Sequence, residues 1–64
     1  MSKKIIIAKS MNQINNLLNI CDGFIIGIKN LSVNLPCYFD IEEAKKIIKL
    51  CLESKRDIFV SLNK

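Results

Sequence analysis

Histidine and tryptophan are absent from this chain, and only two glycines and one proline interrupt it. Without histidine the commonest neutral-pH proton carrier and metal ligand is missing. Gly23 and Gly27 stand alone, so no glycine-rich phosphate loop can be drawn. Cys21, Cys37 and Cys51 are odd in number and spaced for neither a disulfide framework nor a CxxC metal site, which reads them as reduced and mostly packed. No cofactor and no metal is expected. No apolar run approaches membrane-spanning length, and the start Met1-Ser2-Lys3-Lys4 leads into too short an apolar stretch for a secretory signal, so a cytoplasmic setting without membrane contact is expected. A concentrated charge is lacking too. Ten basic residues against six acidic give +4, but Lys45, Lys46, Lys49, Lys55 and Arg56 are accompanied by Glu42, Glu43 and Glu53, the pattern of a solvated helix face. With no exposed aromatic platform either, nucleic acid is not an expected partner.

What the chain does have is three short runs rich in β-branched residues, at Lys4 to Ala8, Phe24 to Ile28 and Ile58 to Leu62. Each is apolar at both alternating sets of positions, as in strands of a parallel sheet covered on both faces. The segments between them are helical in pattern. Ser10 and Gln13 have capping-box spacing, followed by Ile14, Leu17, Leu18 and Cys21 on one face and Asn12, Asn15, Asn16 and Asn19 on the other. Asparagines are mediocre helix formers, so this helix should be short, closed by Asp22-Gly23 with the glycine supplying backbone freedom. A second helix is placed at 41–54. Asp40 caps it, Glu43 completes the box, and Ile41, Ala44, Ile47, Ile48, Cys51 and Leu52 form its apolar stripe, with Lys55 and Arg56 basic at its end.

Residues 1–64 therefore read as one partial α/β unit, β-α-β-α-β, with a parallel three-stranded sheet resembling the first part of a (β/α)8 barrel. If the strands lie in the order 1-2-3, crossovers of one hand land both helices on one face and leave the other bare. The competing order 2-1-3 would put one helix on each face. Three strands of about five residues cover a plan area of roughly 240 Å², and at about 25 cal/mol per Å² a bare face of that size forgoes on the order of 6 kcal/mol. The expected partners are accordingly the remainder of a parent barrel chain, or further copies of this chain joined as a dimer or higher oligomer through the uncovered sheet face or the strand edges.

The order of residues resembles the N-terminal end of the collagenase-like peptidase family U-32, whose members are (β/α)8-barrel proteins. Cys21-Asp22-Gly23-Phe24-Ile25-Ile26-Gly27 is similar to the family's "GADAVYLG"-like strand, Leu31-Ser32 to its Phe-Ser loop, Tyr38 to Ala44 to its "NFTLEEL" stretch, and Ile58-Phe59-Val60-Ser61-Leu62-Asn63 to its "VYVTLN" strand. The chain departs from the family at Ala8-Lys9-Ser10-Met11, at Val33 and at Ser54-Lys55-Arg56-Asp57. The resemblance implies a hydrolase-type barrel protein, peptidase or hydroxylation-linked, whose signature region lies beyond this segment. It passes no catalytic role to any residue here.

In such a barrel the site gathers at the C-terminal strand ends, so Lys9, Lys29, Ser32, Asn34 and Asn63 are the candidate substrate-binding residues. The long connection from Lys29 to Phe39 is also placed there, with Leu35, Tyr38 and Phe39 read as an apolar plug over the sheet end. No nucleophile has a base beside it, and Glu42 and Glu43 belong to a helix start. The expected function is a scaffold segment without catalysis of its own, or alternatively a small self-associating interaction module.

Overall fold

The computed structural model describes residues 2–62. Its elements are β1 (Ile5–Ile7), α1 (Met11–Leu17), β2 (Gly23–Gly27), α2 (Ile41–Glu53) and β3 (Asp57–Ser61), the β-α-β-α-β unit expected. The sheet is wholly parallel with strand order β1-β2-β3. Register aligns Ile5, Gly23 and Asp57 in one row, Ile6, Phe24 and Ile58 in the next, and Ile7, Ile25 and Phe59 in a third. Side chains alternate between faces along a strand. The even-numbered set, Phe24, Ile26 and Ile28 above all, packs with Ile14 of α1 and with Ala44, Ile47 and Cys51 of α2 in a single core. Both helices thus lie on one face, the outcome of stepping twice in the same direction with crossovers of one hand.

Helix α1 begins as its sequence dictates, for the Ser10 hydroxyl accepts from the Gln13 N–H at 3.0 Å. It is shorter than the apolar spacing implies and ends at Leu17, four residues before Cys21, which enters the core from the following turn. Glycine does not serve there as expected. Neither glycine has positive φ; Gly23 is the first residue of β2, and a Cβ on it would stand 2.6 Å from the Asp57 carbonyl oxygen. Its requirement is space between β2 and β3 rather than backbone freedom.

Helix α2 carries a capping box at Asp40 and Glu43, with the Glu43 carboxylate accepting from the Asp40 N–H at 3.3 Å. The buried stripe is narrower than the sequence implies. Ala44, Ile47 and Cys51 are fully buried and Ile48 partly, whereas Ile41 and Leu52 are exposed, because a sheet of three strands cannot reach across a wide helix face. At its end the Arg56 N–H donates to the Cys51 carbonyl at 2.8 Å and the Lys55 N–H to that of Leu52 at 3.2 Å. These bonds make a Schellman motif with Lys55 in the left-handed region at φ 58°. Lys55 and Arg56 therefore stand outside the helix rather than in its last turn. The Arg56 guanidinium turns to the other helix, where Nε donates to the Leu18 carbonyl at 2.7 Å.

Candidate functional site

Two end groups bound the uncovered face and leave only a band of it bare. Odd-numbered strand residues point there, and the central row is Ile7, Ile25 and Phe59, with Ile7 37% and Phe59 50% exposed. At the N-terminal end Lys3 Nζ meets Asp57 Oδ2 at 2.8 Å, spanning from the start of β1 to the start of β3 across the row that contains Gly23. That hydrogen bond and the charge of Asp57 raise the Lys3 ammonium above its ordinary pKa. At the C-terminal end the long connection folds back on Gly27, where an added Cβ would lie 2.5 Å from Leu35 Cδ1 and 2.9 Å from Tyr38 Cδ1. The plug of Leu35 and Tyr38 therefore sits on the uncovered face. Phe39 goes elsewhere, into the helix-side core.

The connection is anchored by sheet-like bonds at both ends. Phe39 N–H donates to the Gly27 carbonyl and Lys29 N–H to the Phe39 carbonyl, each at 2.9 Å, so that Phe39 forms a parallel bridge with Ile28. The Ala8 N–H donates to the Ile25 carbonyl on the same side of β2, so Phe39 continues the line that β1 abandons when Ser10 starts α1. On the other side of β2, Ser32 completes the anchor. Its buried hydroxyl accepts from the Ile28 N–H at 2.9 Å and donates to the Ser61 carbonyl. Regular parallel pairing of Gly27 with Ser61 would put the Ile28 N–H directly on that carbonyl. The serine hydroxyl is inserted into the ladder at the point where β2 and β3 part.

The remaining candidates are dispersed around this rim. Lys29 is exposed and its ammonium pairs with Asp40 Oδ1 at 3.2 Å, an ion pair open to water and worth about 1 kcal/mol or less. Lys9 is exposed, and its backbone N–H donates to Gln13 Oε1 at 2.8 Å. Asn34 is exposed and holds φ 64°, a conformation asparagine tolerates better than other side chains, and Asn30 does the same at φ 69°. Asn63 lies outside the described residues. Of the four described candidates Ser32 alone has a buried side chain, and both its bonds go to backbone.

Among the described residues no enclosed cavity is present, and no group of three or more histidine, cysteine or acidic side chains could hold a metal. Nor is any helix among them long and apolar enough to cross a membrane. The three thiols are free; Cys21 and Cys51 are buried, and burial, with Cys21 nearby, pushes the Cys51 thiol up. Such a thiol is held protonated, away from nucleophilic use. Comparison with family models, with curated proteins and with solved structures finds no match.

A feature the sequence reading does not anticipate is the second use of Gln13. Its carboxamide accepts from the Lys9 N–H at 2.8 Å and donates to the Ile7 carbonyl at 3.3 Å. Ala8 points its own N–H at β2, so the groups of Ile7 and Lys9 face the opposite way, along the outer edge of β1. One amide bonded to the residues before and after Ala8 reproduces a parallel-strand bridge. The signal was the same Ser10-Gln13 spacing that suggests a reciprocal capping box, with the side chain reaching one residue further back.

Proposed function

We propose that this chain is a non-catalytic scaffold unit, the opening β-α-β-α-β of a U-32-like (β/α)8 barrel, with its uncovered face turned to the barrel interior. The observation that supports this most is the one-sided packing: both helices cover the even-numbered face while Ile7, Ile25 and Phe59 form a bare apolar row on the other. Barrel interiors are filled by such rows from successive strands. The Ser32 insertion and the folded-back connection then belong to the rim where barrel loops converge, and Lys9, Lys29, Asn34 and Asn63 would border a site completed by other strands. Intact mass of the polypeptide isolated from its native source tests the reading. A barrel needs about 250 residues, so a mass several times 7.3 kDa is expected. A native product of 7.3 kDa overturns the barrel form.

The second reading, a small self-associating module without enzymatic activity, has its own support in Gln13. A closed barrel must pair its last strand with β1, and the carboxamide occupies the Ile7 and Lys9 positions of that edge.

A further inference from the structure

The two edges of this sheet differ in a way that selects one mode of assembly. Strand edges present unpaired N–H and C=O groups and recruit other strands unless they are blocked. On β1 the Gln13 carboxamide occupies the outward carbonyl of Ile7 and N–H of Lys9. On β3 the Asp57 N–H donates to the Asp22 carbonyl and the Ser61 carbonyl accepts from Ser32, so Asp57, Phe59 and Ser61 direct their backbone groups toward β2. Ile58 and Val60 therefore direct theirs outward, Leu62 follows in the alternation just past the strand end, and among the described residues no hydrogen bond falls on them from that side. Phe59, Val60 and Leu62 are exposed, and so are Leu31 and Val33, which flank the serine bonded to Ser61.

We propose that two copies of this chain join at β3, antiparallel, about a two-fold axis through Val60. This rests on the self-association reading and specifies its geometry. Copies meeting edge to edge have the pairings β1 with β1, β1 with β3, and β3 with β3; Gln13 takes the C-terminal half of the three-residue β1 edge and leaves Ile5 and the Ile7 N–H, so both pairings that use β1 are cut short. The surviving pairing is isologous and closes at two chains. Val60 faces Val60 of the second copy and Ile58 faces Leu62, each pair exchanging both backbone bonds, in a continuous sheet with all four helices on one side. No charged side chain belongs to the facing set, so the +4 of each chain stays off the contact.

Area argues for the edge over the bare face. Lys3 and Asp57 at one end and Leu35 and Tyr38 at the other confine the open band to less than the roughly 240 Å² plan of the sheet. Two such bands stacked make a short contact bounded at both ends. The β3 edge adds backbone pairing to the exposed side chains of Val60 and Leu62.

Sedimentation equilibrium of the 64-residue chain from micromolar to submillimolar concentration tests this. The wild type is expected to pass from one chain to two and no further. Val60→Pro removes only an outward N–H, which an edge strand tolerates, and should weaken dimerisation at least tenfold with helical circular dichroism retained. In a Cys37→Ser background, oxidised Val60→Cys should give a disulfide-linked dimer, since facing residues of such a pair have Cα atoms about 5.5 Å apart, within disulfide range. Gln13→Ala, which frees the Ile7 carbonyl and Lys9 N–H and so opens the full β1 edge, should carry association beyond two chains. A folded Val60→Pro dimer as tight as wild type, or a Val60→Cys dimer without the disulfide, overturns the β3 contact while leaving self-association standing. Gln13→Ala held at two chains overturns the role given to Gln13 on the β1 edge. A wild-type monomer throughout overturns both the contact and the reading beneath it.

Discussion

Ser32 shows how far one hydroxyl can matter in a unit of three strands and two helices. It is the buried polar side chain among the described residues, and its two bonds satisfy the Ile28 N–H and the Ser61 carbonyl where the strands diverge. Ser32→Ala should cost about 1 to 3 kcal/mol, the usual penalty for orphaned buried partners, read as a lower urea midpoint at unchanged m-value. Cys51 sets a second expectation, in pH. Its folded pKa is raised, so its contribution to stability is fully present below the unfolded thiol value of about 8.5 and is lost as pH rises through the folded value. Urea midpoints of wild type should therefore decline above that pH, and Cys51→Ala should flatten the decline. The residue scale was also the least legible in the sequence. Ser32 and Arg56 reach backbone groups distant in sequence, at separations of 29 for Ser32 with Ser61 and 38 for Arg56 with Leu18. Nothing in local spacing announces such partners.

At the scale of elements the pattern was readable because local physics dominates there. β-branched runs became β1, β2 and β3 to within a residue, and the capping pair Asp40 and Glu43 opened α2 where it was placed. The misses have particular causes. The stripe on α2 was drawn from periodicity alone, while the width of the sheet decides that Ile47 is buried and Leu52 is not. Ile47→Ala should accordingly cost about 2 to 5 kcal/mol, whereas Leu52→Ala should stay within about 0.5 kcal/mol, a contrast that thermal melts of the two variants resolve. At the helix end, Lys55 holds a left-handed conformation where glycine is usual. Lys55→Gly should raise stability by about 0.5 to 1 kcal/mol, as the relief of a strained side chain exceeds the added unfolded-chain entropy. No loss of stability on that change is compatible with the Schellman geometry.

For the whole molecule the decisive feature is asymmetry: one sheet face closed by two helices, the other bare in its middle, one strand edge capped at its C-terminal end by Gln13 and the other unpaired. Strand order and the common side of the helices were legible in the chain, since handed crossovers leave few arrangements open. The plug of Leu35 and Tyr38 was legible too, but its seat on Gly27 and the closure of the other end by Lys3 and Asp57 beside Gly23 were not, for they depend on glycines whose value is the side chain they lack. Solvent paramagnetic relaxation of the isoleucine methyls tests the asymmetry most directly, using a soluble paramagnetic chelate that reaches only exposed groups. The Ile7 methyls should relax strongly and those of Ile25 measurably, while Ile14, Ile26 and Ile47 stay protected. Equal protection of Ile7 and Ile26 in a monomeric sample would contradict a sheet covered on one face only.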